Sequence, residues 1–141
     1  MEPTDDAPTV SPLNLVMQMA GEGSRMEELG RETADAMLKA NADAIGTLHE
    51  ARFIRLDERT IALFTSYDGS FHDYILDFTK HMAEVFNLVL PKVADPPPLP
   101  VEKNVQAFED WARKHDVPSL AYYRAYPDLS VQDVLALEAK G

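Results

Sequence analysis

Apolar and mixed residues alternate along one stretch of the chain, with the period of a β-strand, and two further stretches are rich in apolar and β-forming residues. The polar turn Asp57-Glu58-Arg59 is short enough to make the last two stretches an antiparallel hairpin. A fourth strand is predicted at Ser119–Tyr126, where β-forming tyrosines cluster before a proline. The first three predicted strands are Leu13–Ala20, Thr47–Leu56 and Ile61–Tyr67.

Helical periodicity appears between these strands and after them. The clearest case is the apolar stripe over residues 71–90, which predicts one continuous helix. A first helix is predicted at Ser24–Ala44, opening on the capping-box pair Ser24 and Glu27 and ending at Gly46. After a stiff proline-rich connector, a third helix is predicted at Val101–His115. Ser130 then caps a short final helix.

This order of elements predicts an α+β fold of the ferredoxin-like βαββαβ type, with an antiparallel four-stranded sheet and extra C-terminal helices. Two helices would cover one face of the sheet and leave the other open. Because the strands are apolar on both faces, we expect a second subunit to cover the open face, giving a homodimer, a dimeric α+β barrel. Residues 11–141 are predicted to form this single domain, and residues 1–10 a disordered acidic tail.

Composition narrows the range of functions. The 141 residues carry a net charge of −11 and show no basic patch, which argues against nucleic acid as a partner. The absence of cysteine excludes disulfides, thiolate metal sites and a cysteine nucleophile. No apolar stretch approaches the roughly 20 residues that cross a bilayer, and the amino terminus lacks the features of a secretory signal. We therefore expect a cytoplasmic protein with no membrane partner.

Three short motifs carry a family resemblance: His49-Glu50-Ala51-Arg52-Phe53, then Tyr67-Asp68-Gly69, then Tyr74-Ile75 with Phe78. They resemble a His-Phe-Ala-Arg-Phe strand, a Phe/Tyr-Asp-Gly turn and a Tyr-Ile-x-x-Phe helix found in poorly characterised bacterial proteins of the dimeric α+β barrel superfamily. Glu50 departs from that pattern, which has an aromatic residue there. The resemblance implies cofactor-free monooxygenation of aromatic polyketides, lactone isomerisation, cyclisation, haem-dependent peroxidase or dismutase chemistry, or simple binding.

The candidate catalytic residues are His49, Tyr67 and Asp68. Histidine changes charge near neutral pH, so His49 is a candidate general base. Tyr67 could orient a phenol or carbonyl, and Asp68 could accept a proton or hold a histidine in place. The alternatives are a structural His49 hydrogen-bonded to backbone and an ordinary Asp68-Gly69 turn.

The candidate substrate-binding residues are Arg52, His72, Tyr122 and Tyr123. A regular strand would place Arg52 on the opposite face from His49, together with Glu50. His72 follows the turn after Asp68, and the two tyrosines could stack on a flat ligand or pack at a dimer seam. The histidines lack the spacing of a helical metal site, so we expect no metal and no cofactor, although one histidine could still ligate haem.

These residues predict a small-molecule enzyme that acts on a hydrophobic substrate, aromatic or polyketide-like, inside the barrel cavity. His49 would be the base of a cofactor-free oxygenation, isomerisation or cyclisation. The alternative is a non-catalytic ligand-binding or assembly protein of the same fold. Free space beside His49 would favour the enzyme or ligand binder, whereas a filled interface would favour assembly.

Overall fold

The computed structural model describes residues 9–21, 31 and 35–140. In this part of the chain, three strands form an antiparallel sheet in the order β1-β3-β2. The strands are β1 (Val10–Gln18), β2 (Leu48–Asp57) and β3 (Thr60–Asp68). The predicted α+β class and the β2–β3 hairpin are therefore confirmed.

Five stretches of the described residues form α-helices. They are α1 (Asp35–Asn41), α2 (Phe71–His81), α3 (Ala83–Val89), α4 (Val105–His115) and α5 (Val131–Lys140). Short 3-10 helices occupy Ala42–Ala44, Leu90–Lys92 and Val101–Lys103. Of the predicted first helix, residues 24–30 and 32–34, including the capping box, lie outside the described residues. So do residues 1–8 of the predicted tail, whereas Val10 already begins β1.

The predicted continuous helix over residues 71–90 is instead two helices that meet at Met82. The backbone of Met82 has left the helical region, with φ −121° and ψ 13°. The side chain of Met82 is nevertheless fully buried, so the apolar stripe continues across the break. Periodicity alone cannot show such a kink, because both halves keep the same face toward the core.

The core lies between the sheet and α2, α3 and α4. One face of the sheet supplies alternate apolar residues from β1 and β3, among them Leu13, Leu15, Ile61 and Leu63. Aromatic rings continue this core from the sheet to α4, each in contact with the next. The sequence of rings is Tyr67, Tyr74, Phe78, Phe86 and Phe108, with centroids 4.1–5.4 Å apart.

The predicted fourth strand at Ser119–Tyr126 does not form, so the last strand of the ferredoxin-like unit is missing from the described sheet. The chain meets the free edge of β1 through an isolated bridge between Leu15 and Asp116. Val117 N donates to Asn14 O at 2.8 Å, and Asn14 N donates to Asp116 Oδ1 at 2.9 Å. Pro118 follows at once, and a proline has no N–H with which to extend the ladder.

Residues 117–130, which we call the C-terminal arm, cross the second face of the sheet, opposite the core. Asn14 of β1 donates its side-chain amide to Val117 O and Ser119 Oγ, at 2.9 and 2.8 Å. Further along, Tyr122 reaches Ser66 of β3. The arm thus passes from β1 over β3 toward β2, held by side chains.

Among the described residues, no helix has the length and apolar character needed to cross a bilayer.

Candidate functional site

A β-bulge at the start of β2 determines where His49 points. Leu48 lies opposite Tyr67, and Glu50 opposite Ser66, so His49 is an extra residue in the ladder. Its side chain consequently joins that of Glu50 on the second face. Arg52 is on this face too, with its guanidinium 6.0 Å from the ring centre of Phe64. The expectation that His49 and Arg52 face opposite ways is wrong, because it assumed a regular strand.

His49 and Asp68 form a close, largely buried pair. His49 Nε2 lies 2.7 Å from Asp68 Oδ1, and the two side chains are 8% and 11% exposed. The other carboxylate oxygen of Asp68 accepts a hydrogen bond from the backbone N–H of Val131 at 2.8 Å. Asp68 therefore links the imidazole to the first turn of α5, where a helix dipole favours negative charge.

Arg124 of the arm determines the tautomer of His49. Its Nη2 lies 3.3 Å from His49 Nδ1. Because a guanidinium can only donate, Nδ1 must accept, and the ring proton resides on Nε2, which donates to Asp68. Both ring nitrogens of His49 are therefore engaged with protein partners.

A second branch of the network runs from Arg124 to β3. Arg124 Nη1 lies 3.9 Å from Glu50 Oε2, and the other oxygen of Glu50 accepts from Ser66 Oγ at 2.6 Å. Tyr122 OH donates to the same Ser66 hydroxyl at 3.2 Å. Arg124 Nε is buried without a hydrogen-bond acceptor among the described residues.

A cleft of about 680 Å³ opens beside this network, between α1, the start of β2 and α5. His49 and Glu50 form part of its wall. Its volume falls in the range of roughly 300–1,000 Å³ typical of small-molecule sites. Its apolar lining comes from Leu38, Ile45, Leu48, Ala51, Val131 and Leu135. The cleft can therefore accept a largely hydrophobic molecule with a polar group directed at His49.

Tyr67 lies on the core face of β3, away from the cleft. Its ring stacks on Tyr74 at 4.1 Å, and burial raises the pKa of its phenol. From this position, Tyr67 cannot share a ligand with His49 across the sheet.

The remaining predicted site residues are dispersed, apart from Tyr122. His72 lies on α2 and bonds to Glu109 of α4. That hydrogen bond, assisted by Arg113, lowers the pKa of the Glu109 carboxyl. Tyr123 extends into solvent, 86% exposed. The fold therefore brings His49, Asp68 and Tyr122 into one cluster, and it leaves His72 and Tyr123 outside that cluster.

Three members of the cluster, Glu50, Arg124 and Ser66, are not among the predicted site residues. Arg124 is the one cation within the aromatic run Tyr122-Tyr123-Arg124-Ala125-Tyr126, an unusual setting that could have marked it. Ser66 carries no such signal, because a serine in a buried strand is common. Its role depends on register, which places it opposite Glu50.

Within residues 9–21, 31 and 35–140, no three histidine, aspartate or glutamate side chains gather closely enough to hold a metal ion. No known protein family, curated protein or solved structure matches the chain. The function of the protein is therefore inferred from the geometry of the cleft and of the polar cluster around His49.

Proposed function

We propose that the protein is a small-molecule enzyme that moves a proton at the cleft, with His49 as general base and Asp68 as the residue that orients it. The observation that carries this proposal is the 2.7 Å contact between His49 Nε2 and Asp68 Oδ1 at the wall of the 680 Å³ cleft. A carboxylate on one ring nitrogen stabilises the imidazolium that forms when the other nitrogen accepts a proton.

The base must be released from Arg124 before it can act. The Nδ1 lone pair faces Arg124 at 3.3 Å, a long contact for an N–H···N hydrogen bond. A substrate hydroxyl or acidic C–H that reached Nδ1 would displace the guanidinium by a small movement. Arg124 would then lie beside the oxygen on which negative charge develops, where a fixed cation stabilises the transition state.

The apolar lining of the cleft favours a hydrophobic substrate, aromatic or polyketide-like, with an enolisable or phenolic group. Proton removal from such a compound gives an enolate or phenolate. Cofactor-free oxygenation, isomerisation and cyclisation all begin from this anion. The cleft lining carries the carboxylates of Asp35, Asp43 and Glu50 and one lysine, Lys39, which pairs with Asp35 at 2.9 Å. This excess of negative charge favours a substrate that binds in a neutral form.

A second candidate function is supported by the hydrogen bonds that His49 already makes within the protein. Both ring nitrogens have protein partners, as expected of a residue that fastens the arm and α5 to the sheet. In that case, the protein would be a non-catalytic ligand-binding or assembly protein, and the cleft would bind without turnover.

Proton transfer can be tested with anthrone, an aromatic ketone that has an acidic C–H group. In D₂O without oxygen, the wild type should accelerate exchange of that hydrogen, measured by NMR. His49→Gln should abolish the acceleration, and Asp68→Asn should reduce it on the order of 10²-fold, the usual scale of general-base assistance. His81→Gln, at the end of α2, is the matched control. Equal exchange by the wild type and His49→Gln would contradict the proposal and favour the second candidate.

A further inference from the structure

The C-terminal arm presents its apolar side chains to solvent. Tyr122 and Arg124 turn inward to the sheet, whereas Leu120, Tyr123 and Tyr126 are 106%, 86% and 68% exposed. α5, which the structure describes over its full length, buries no residue and exposes Val134, Leu135 and Leu137. Large apolar side chains exposed in such number within one short segment of the chain are typical of interaction surfaces.

We propose that this surface, formed by the arm and α5, is where a second copy of the chain binds. The inference concerns how two chains meet, and it holds whether or not His49 is a catalytic base. It also replaces the expected direct sheet-to-sheet contact with one made through the arm, since the arm already covers part of the second face.

The available apolar area suits a stable dimer. A stable interface removes about 800 Å² per partner, and an aromatic side chain buries roughly 150–250 Å² when it is covered. Tyr123 and Tyr126, corrected for their present exposure, supply roughly a third of that area. The rest can come from Val117, Leu120, Tyr122, Val134, Leu135 and Leu137, which are all exposed.

Charge favours self-association at this surface and opposes it elsewhere. The chain carries a net charge of −11, so two copies repel each other over most of their surface. Residues 117–130, however, contain only Arg124 and Asp128 as charged residues, and these two cancel. The arm is therefore a neutral, apolar region on an acidic molecule, where two copies can meet with little electrostatic cost.

Each chain also carries an acceptor for the arm of its partner. Beyond the arm, the second face of the sheet continues with Val16, Ile54 and Phe64, which are half-buried. A two-fold arrangement would place the arm of each copy against this surface of the other. Such a contact is self-complementary, as a closed dimer requires.

Analytical ultracentrifugation tests the proposal. The wild type should sediment as a dimer at micromolar concentration. Tyr123→Asp and Leu120→Asp should each raise the dissociation constant at least about tenfold, because a buried charge at an interface costs more than 1.4 kcal/mol. Leu76→Asp is the control: Leu76 is 38% exposed on α2, which packs on the face of the sheet opposite the arm. Circular dichroism would establish that all three variants fold.

Two further measurements identify the surface. Because the chain has no cysteine, the variant Ala121→Cys can carry a single spin label. Pulsed electron paramagnetic resonance should then measure a distance between the labels of two chains. That signal should disappear when excess unlabelled protein is mixed in. Raising salt from 0.1 to 1 M shortens the screening length from about 10 to about 3 Å and should tighten the dimer. A monomeric wild type, a dimer that survives both arm substitutions, or one that only Leu76→Asp dissociates would overturn the proposal.

Discussion

At the scale of the residue, Asp68 is the hydrogen-bond acceptor for two donors at once. His49 Nε2–H donates to one oxygen and Val131 N–H to the other. In Asp68→Asn, the side-chain NH₂ would face one of these N–H donors, and neither group would then have an acceptor. A change of His49 tautomer would relieve that conflict only by directing an N–H at Arg124.

We therefore expect Asp68→Asn to destabilise the protein by about 1–3 kcal/mol, the cost of leaving a buried donor without an acceptor. Urea unfolding gives the value. Asp128→Asn, an exposed aspartate of the arm, is the control and should change the free energy of unfolding by less than about 0.5 kcal/mol. A loss equally small in Asp68→Asn would show that the carboxylate holds neither partner strongly.

The buried phenols of Tyr74 and Tyr67 make the stability of the fold decrease at alkaline pH. Burial is the main cause that raises the pKa of both phenols above the ordinary 10.0, and Tyr74 OH donates to Thr65 Oγ1 at 2.6 Å. The unfolded chain loses these protons near pH 10 while the folded chain keeps them, so stability is complete below about pH 10 and falls above it. The urea midpoint should drop between pH 9 and pH 11, and it should drop less in Tyr74→Phe.

His49 and Asp68 could be predicted as a site from their residue types, but their contact could not. The contact depends on the bulge that rotates His49 onto the second face. A bulge adds one residue to a ladder without changing the hydrophobic pattern enough to reveal itself. The separation of Tyr67 from this pair has a related cause, because adjacent residues of a regular strand face opposite sides of the sheet.

At the scale of the element, α2 shows how far periodicity can be relied on. Phe78 is 1% exposed and contacts both Tyr74 and Phe86. Phe78→Ala should cost roughly 3–5 kcal/mol, because it leaves a cavity within the aromatic core. Leu76→Ala, on the same helix but 38% exposed, should cost less than about 1 kcal/mol. Similar losses for both variants in urea melts would mean that α2 is rotated from the position described.

The elements that periodicity predicts poorly are those held by side chains. Residues 119–126 have strong β-forming composition, yet they remain irregular because Pro118 stops the ladder and the arm binds through Asn14, Ser66 and His49 instead. In this segment, tertiary hydrogen bonds outweigh the local β-strand propensity. The hairpin of β2 and β3, by contrast, was predictable because its pairing is local.

At the scale of the whole molecule, acidity is the dominant property. With 24 acidic and 13 basic residues, the folded chain repels itself more than the expanded unfolded chain does. Raising salt from 0.01 to 0.3 M should therefore raise the urea midpoint, and sodium chloride and potassium chloride should act alike if screening is the cause. A midpoint that falls over this range would show that attractive ion pairs outweigh the repulsion.

The route of the C-terminal arm also bears on how freely its length can change. Inserting one residue into a paired strand sends every later side chain to the other face of the sheet. The arm is attached at separate points instead, at Asn14, Ser66 and the pair His49 and Glu50. A residue added between two attachment points only lengthens the span between them. Insertions and deletions should therefore be tolerated in the arm at positions such as 120–121 and 125–128, and rejected throughout β1 and β3.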